Sequence, residues 1–122
     1  MAITNINLGY VSGAKSFADS AAGSTANAVV ASAATVYAIT IDNTLNAAAD
    51  TYFKLYDSAG AINVGTSVPD YVIRCRQGVK RTLVIPDGLY FANGIAEAAL
   101  TTGGTAGSTG PTSNVPISIV YA

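Results

Sequence analysis

Thr35-Val36-Tyr37-Ala38-Ile39-Thr40-Ile41 is the stretch that decides the class of this fold. Nearly all of its residues are β-branched or aromatic, side chains that suit a pleated surface and lose rotamer freedom in a helix. Asp42-Asn43 follows and reads as a turn, because both side chains can bond nearby backbone. The same grammar recurs along the chain. Thr51–Tyr56 (TYFKLY) stops at Asp57-Ser58-Ala59-Gly60, and then come Tyr71–Arg76 (YVIRCR), Lys80–Ile85 (KRTLVI), Leu89–Phe91, Gly94–Leu100 and Val115–Tyr121 (VPISIVY). Turn signals fall at spacings of roughly 8–14 residues, with no long amphipathic helical stretch between them. The expected fold is all-β: a two-sheet antiparallel β-sandwich, jelly-roll-like, with an immunoglobulin-like sandwich as the alternative. Residues 1–122 read as a single domain, with 1–17 as an N-terminal arm or an edge strand.

Other segments obey different rules. Residues 18–34 are small and alanine-rich but interrupted by Gly23, Ser24 and Thr25. They predict a loose connection, with room for one helical turn, leading into a strand near Val29-Val30. Residues 101–114 (TTGGTAGSTGPTSN) carry no large apolar side chain and predict a long exposed loop before the last strand. Pro86-Asp87-Gly88 predicts a turn, since proline presets φ and glycine accepts positive φ.

Around Gln77-Gly78 the pattern predicts a hairpin. A three-residue loop, Arg76-Gln77-Gly78, would keep Tyr71, Ile73 and Cys75 on one face with Val79, Leu83 and Ile85, and would give Gly78 a left-handed conformation. Arg74 would then lie opposite Lys80, two like charges that call for an acidic partner, expected on a neighbouring subunit.

The composition is poor in reactive groups. The 122 residues include no histidine, no tryptophan and one cysteine, with seven acids against six bases and a net charge of −1. General acid–base catalysis, nucleophile activation and metal ligation draw on side chains that are scarce here. No enzymatic activity and no cofactor or metal is expected. Cys75 lacks an intrachain partner and reads as a buried thiol, since a reactive one needs an electropositive setting. Aspartates at 50, 57, 70 and 87 sit beside turns and strand ends, where they shape backbone rather than bind calcium. Glu97, the sole glutamate, reads as a solvent-facing strand residue. No run approaches the ~18 apolar residues of a membrane-spanning helix, and the start of the chain lacks a secretory pattern. Synthesis in a reducing cytoplasm is expected, with neither membrane nor nucleic acid as partner.

With charged residues at only 11%, the surface is weakly self-repelling and suited to docking or self-association. The candidate partner-contacting residues fall in three groups. Ile3, Ile6, Leu8 and Tyr10 make an N-terminal segment too apolar for a solvated tail. Tyr52 and Tyr56 would form an exposed aromatic stripe if Phe53 and Leu55 enter the core. Arg74, Arg76 and Lys80 make a basic outer face on the predicted hairpin.

The succession ATVYAITIDNT, NAAAD, YFKLYD, VGTSVPDYVI, KRTLVIP, DGLYFANGIAEAALTT, a Gly/Ser/Thr loop and a closing VPISIVYA resembles small virion structural proteins of tailed bacteriophages. The kind concerned is the capsid cement or decoration protein with a β-sandwich or jelly-roll fold. The resemblance runs from Thr35 to the end. Its most specific pieces are Tyr52–Asp57, Val64-Gly65-Thr66 and Gly88–Ala92. It implies a homo-oligomer on the capsid surface that clamps subunits of the major capsid protein. A trimer is expected, because three-fold lattice positions suit small clamps. A receptor- or glycan-binding module of a phage fibre, spike or adhesin is the alternative, using the tyrosines and the 101–114 loop.

Overall fold

The computed structural model describes residues 13–122. Among them the chain forms eight strands and no helix: β1 (Lys15–Ala22), β2 (Asn27–Val30), β3 (Ala34–Asp42), β4 (Thr51–Asp57), β5 (Tyr71–Cys75), β6 (Lys80–Phe91), β7 (Ile95–Leu100) and β8 (Val115–Tyr121). They build two antiparallel four-stranded sheets, ordered β1-β8-β3-β6 and β2-β7-β4-β5. The two-sheet sandwich expected from the alternating pattern is therefore present. Every first-half strand pairs with its mirror in the second half: β1 with β8, β2 with β7, β3 with β6 and β4 with β5. In the immunoglobulin order the first strand lies beside the second; here β1 and β2 are in different sheets.

The core lies between the sheets. Phe53 and Leu55 of β4, Ile39 and Ile41 of β3, Phe91 of β6, Ile95 of β7, and Ile117 and Ile119 of β8 are all buried there. β3 shows how a run of apolar residues reaches one core. Val36 has the opposite parity to Ile39 and Ile41, so a regular strand would send it outward. The register slips between Val36 and Ala38, and Val36, Ile39 and Ile41 all end inside. This is a β-bulge: one extra residue restores a common face.

Several local expectations are overturned. Residues 18–22, expected to begin a loose connection, instead complete β1, because pairing to β8 supplies what the small side chains cannot. Lys15 to Phe17, the tail end of the proposed arm, thus belong to an edge strand, while Ile3, Ile6, Leu8 and Tyr10 lie outside the described residues. Pro86-Asp87-Gly88 does not reverse the chain. It is a bulge within β6: Val84 pairs with Ala38 and Leu89 with Val36, so the extra residues swell out of the ladder. Gly88 has φ +79°, and a Cβ there would overlap the Thr35 methyl group and press on the Tyr37 ring.

The predicted β5–β6 hairpin is also absent. β5 pairs with β4 and β6 with β3, so residues 76–79 step from one sheet to the other. Gly78 nevertheless has the expected positive φ of 69°. Local turn chemistry fixes backbone angles, and long-range pairing decides which strands meet. Tyr71 and Phe91 seal the seam between the β5 and β6 edges with an edge-to-face contact, ring centroids 5.6 Å apart.

Candidate functional site

The two outer faces of the sandwich differ. On the β2-β7-β4-β5 sheet the outward side chains of β4 and β7 are covered by loops. Tyr56 is buried under Ile62, Val64 and Ala26, beside Ala96 and Ala98. Lys54 is fully buried, and its ammonium donates to the Gly104 carbonyl at 2.5 Å. Burial holds the Lys54 pKa below its usual range. Tyr52 is half-buried, with Gly103 so near its ring that a Cβ would come within 2.9 Å. Tyr52 and Tyr56 therefore form no exposed aromatic stripe. The 101–114 segment is not simply exposed either: Gly103 lies flat against β4, where a side chain would collide with the Tyr52 ring.

Among the described residues no loop covers the outer face of the β1-β8-β3-β6 sheet. It presents Ser16 and Ala18 from β1, Ser118 and Val120 from β8, Thr40 from β3, and Thr82 and Val84 from β6. The Thr40 and Thr82 hydroxyls are 3.3 Å apart across strands. Asp42 and Lys80 close one end as a cross-strand pair, and a shallow depression runs between them, Thr40, Pro116 and Ser118. The result is a surface of methyl and hydroxyl groups whose two charges oppose each other, with Tyr90 of β6, opposite Thr35, 64% exposed toward the other end.

The basic residues are dispersed by the missing hairpin. Lys80 faces Asp42, not Arg74. Arg74 lies opposite Tyr52 and meets Asp50 through both Nε and Nη2, at 2.8 and 2.6 Å. The acidic partner anticipated on a neighbouring subunit is thus in the same chain. With the Arg74 side chain 57% exposed, this pair contributes little stability. Arg81 donates to the Arg74 carbonyl, linking the two sheets, and Arg76 is exposed at the same corner.

The aspartates do shape turns. Asp57 accepts the backbone N–H groups of Ala92, Asn93 and Gly94. Asp50 accepts that of Gln77, and Asp70 that of Asp57. Cys75 is buried, with its thiol directed at the Ile41 and Val79 carbonyls, and burial raises its pKa. Among the described residues no group of three His, Cys, Asp or Glu side chains is placed to hold a metal ion.

Three polar residues escaped the sequence pattern. Asn43 is buried, and its amide reaches the carbonyls of Ala49, Cys75 and Arg76 while its oxygen accepts from Thr51. Asn46 clips the end of the long loop by bonding both backbone groups of Ser113. Glu97 reverses expectation: it pairs with Leu55 on the inner side of β7 and is fully buried. Burial first, then the facing Asp19 carboxyl, pushes its pKa up to about 8. An alternating pattern announces such inward polar residues only through the parity they share with Ile95 and Ala99.

No protein-family model matches the chain, and no curated protein matches it.

Proposed function

We propose that this chain is a non-enzymatic virion structural protein, a cement or decoration protein that binds the assembled bacteriophage head and bridges subunits of the major capsid protein. The observation that carries this reading is the outer face of the β1-β8-β3-β6 sheet, uncovered among the described residues, nearly neutral and built mostly of small side chains beside the exposed Tyr90. Such a face can be desolvated at low cost because few charges must be stripped of water. The nested pairing of β1 with β8 through β4 with β5 supports reading the sandwich as a jelly roll, in keeping with the resemblance seen in the sequence. A glycan-binding module would draw on a platform of several exposed aromatics; Tyr56 is buried, and Tyr90 alone among the described tyrosines is more than half exposed.

Repetition supplies the mechanism. A ligand that binds only the assembled lattice stabilises it by mass action, and many equivalent contacts multiply a modest affinity. The test is to add the purified protein to heads lacking it. Co-sedimentation with intact heads but not with free capsid subunits, together with a raised melting temperature of the particle, is the expected result. Equal melting with and without the protein would count against the proposal. Electron cryomicroscopy of decorated particles gives copy number and symmetry, with trimers expected at three-fold positions.

A further inference from the structure

The geometry points to a single proton shared between Asp19 and Glu97, forming a pH-sensitive clasp that ties β1 of one sheet to β7 of the other. Glu97 lies wholly out of solvent. Its Oε1 accepts a long hydrogen bond, 3.4 Å, from Nδ2 of Asn27, and its Oε2 has no partner among the described residues. The same Nδ2 of Asn27 also bonds the Asp19 carboxyl, so one amide group bridges the two acids and holds them side by side. Asp19 is better provided: its Oδ1 accepts the Ala21 N–H and its Oδ2 accepts Nδ2 of Asn27, both at 2.9 Å.

Two carboxylates held face to face in a dry setting do not both ionise, because repulsion adds to the loss of hydration. The proton goes to the drier group. Glu97 keeps it and donates to Asp19, which retains the negative charge where backbone, amide and water can solvate it. Burial alone would raise the Asp19 pKa, but hydrogen bonds from Glu97, Ala21 and Asn27 outweigh it and hold the group below its usual range. Among the described residues the elements packed around Glu97 bring no compensating cation. β2 presents Asn27, β4 presents Leu55, and Lys54 points out of the opposite face toward Gly104. Asp19 is the one titratable group acting on Glu97 among the described residues.

The proton therefore bridges the sheets. Among the described residues β1 is hydrogen-bonded to β8 alone, as an edge strand with one ladder. Ionising Glu97 places two negative charges across the seam and weakens the hold on that edge. Folded Glu97 keeps its proton up to about pH 8, whereas in the unfolded chain it is released near pH ~4.3. The contribution is complete below the unfolded value, drains as pH rises, and is gone above about 8.

Carbon-13 NMR of the intact chain tests this directly. Glu97 is the sole glutamate, so glutamate-selective labelling leaves one side-chain carboxyl signal. A midpoint near 8 is expected. Asp19→Asn should lower it by about a unit or more, because the facing charge is removed. A midpoint in the ordinary range of about 4–5 overturns the proposal. Denaturation from pH 5 to 9 gives a second readout. Relative to Glu97→Gln, the wild-type unfolding constant should rise about tenfold per pH unit until about 8 and then level. Parallel curves for the two proteins overturn the clasp. So does unchanged hydrogen-exchange protection of the β1 amides, corrected for intrinsic rate, on crossing pH 8.

Discussion

Lys54 donates to the carbonyl of Gly104 from beneath the long loop, at 2.5 Å, with its whole side chain out of solvent. A buried ammonium is costly unless its hydrogens are used, so this bond pins 101–114 to β4. Lys54→Met keeps most of the volume but leaves the carbonyl without its donor. Limited proteolysis within the loop should accelerate at least several-fold, while the melting temperature moves by a few degrees at most. Unchanged cleavage would show that the loop is held by other contacts.

Gly88 tests the β6 bulge. Its φ of +79° and the overlap a Cβ would make with Thr35 act together. Gly88→Ala should destabilise by about 1–3 kcal/mol in chemical denaturation. Adding Thr35→Ala should recover part of that loss, since it removes the methyl group in the way, although the backbone strain remains. Additive losses in the double variant would refute the clash.

Asn43 joins three segments: the start of β4, the end of β5 and the loop that leaves β3. Asn43→Ala strips donors from several buried carbonyls and should cost about 3 kcal/mol. Asn43→Asp should be worse at pH 7 and should improve on acidification, as protonation returns a donor. A pH-independent loss in the aspartate variant would contradict the hydrogen-bond assignment.

Acid stability should depend on Asp57. Backbone hydrogen bonds from Asn93, Ala92 and Gly94 hold its carboxyl below the usual range. The folded pKa lies below the unfolded one, so the stabilisation is present above about pH 4 and is lost as pH falls through the folded value. Asp57→Asn should therefore unfold with a shallower dependence on pH below 4 than wild type, measured by circular dichroism. Identical acid transitions would sink this assignment.

Cys75 should behave as an inert thiol. Burial and two carbonyl acceptors keep it protonated. Labelling by a water-soluble disulfide reagent should follow the opening rate of the fold and become fast only in denaturant. Rapid stoichiometric labelling of the folded chain would contradict its burial.

How much of this was legible depended on whether the signal was local. β3, β4 and β8 are rich in β-branched and aromatic side chains, and their bounds match the pattern closely. β1 did not announce itself, because KSFADSAA has one large apolar residue, Phe17, and owes its form to β8. In Pro86-Asp87-Gly88 the turn chemistry was correctly located, yet it produced a bulge because β3 continues alongside. The candidate residues fared unevenly for the same reason. Asp50 is 24 positions from Arg74, and Glu97 is 78 positions from Asp19, distances over which no sequence pattern pairs them.

The amino-acid sequence alone determined an all-β chain, the places where its backbone bends, an interior of β-branched and aromatic residues, and the scarcity of reactive groups. These are properties of neighbouring residues and of composition. Only the tertiary structure decided which strands pair, which sheet face is bare and which is roofed by loops, and that Lys54 and Glu97 are interior. Pairing and burial depend on what arrives from far along the chain, and a residue's parity tells which side it takes without telling what covers that side.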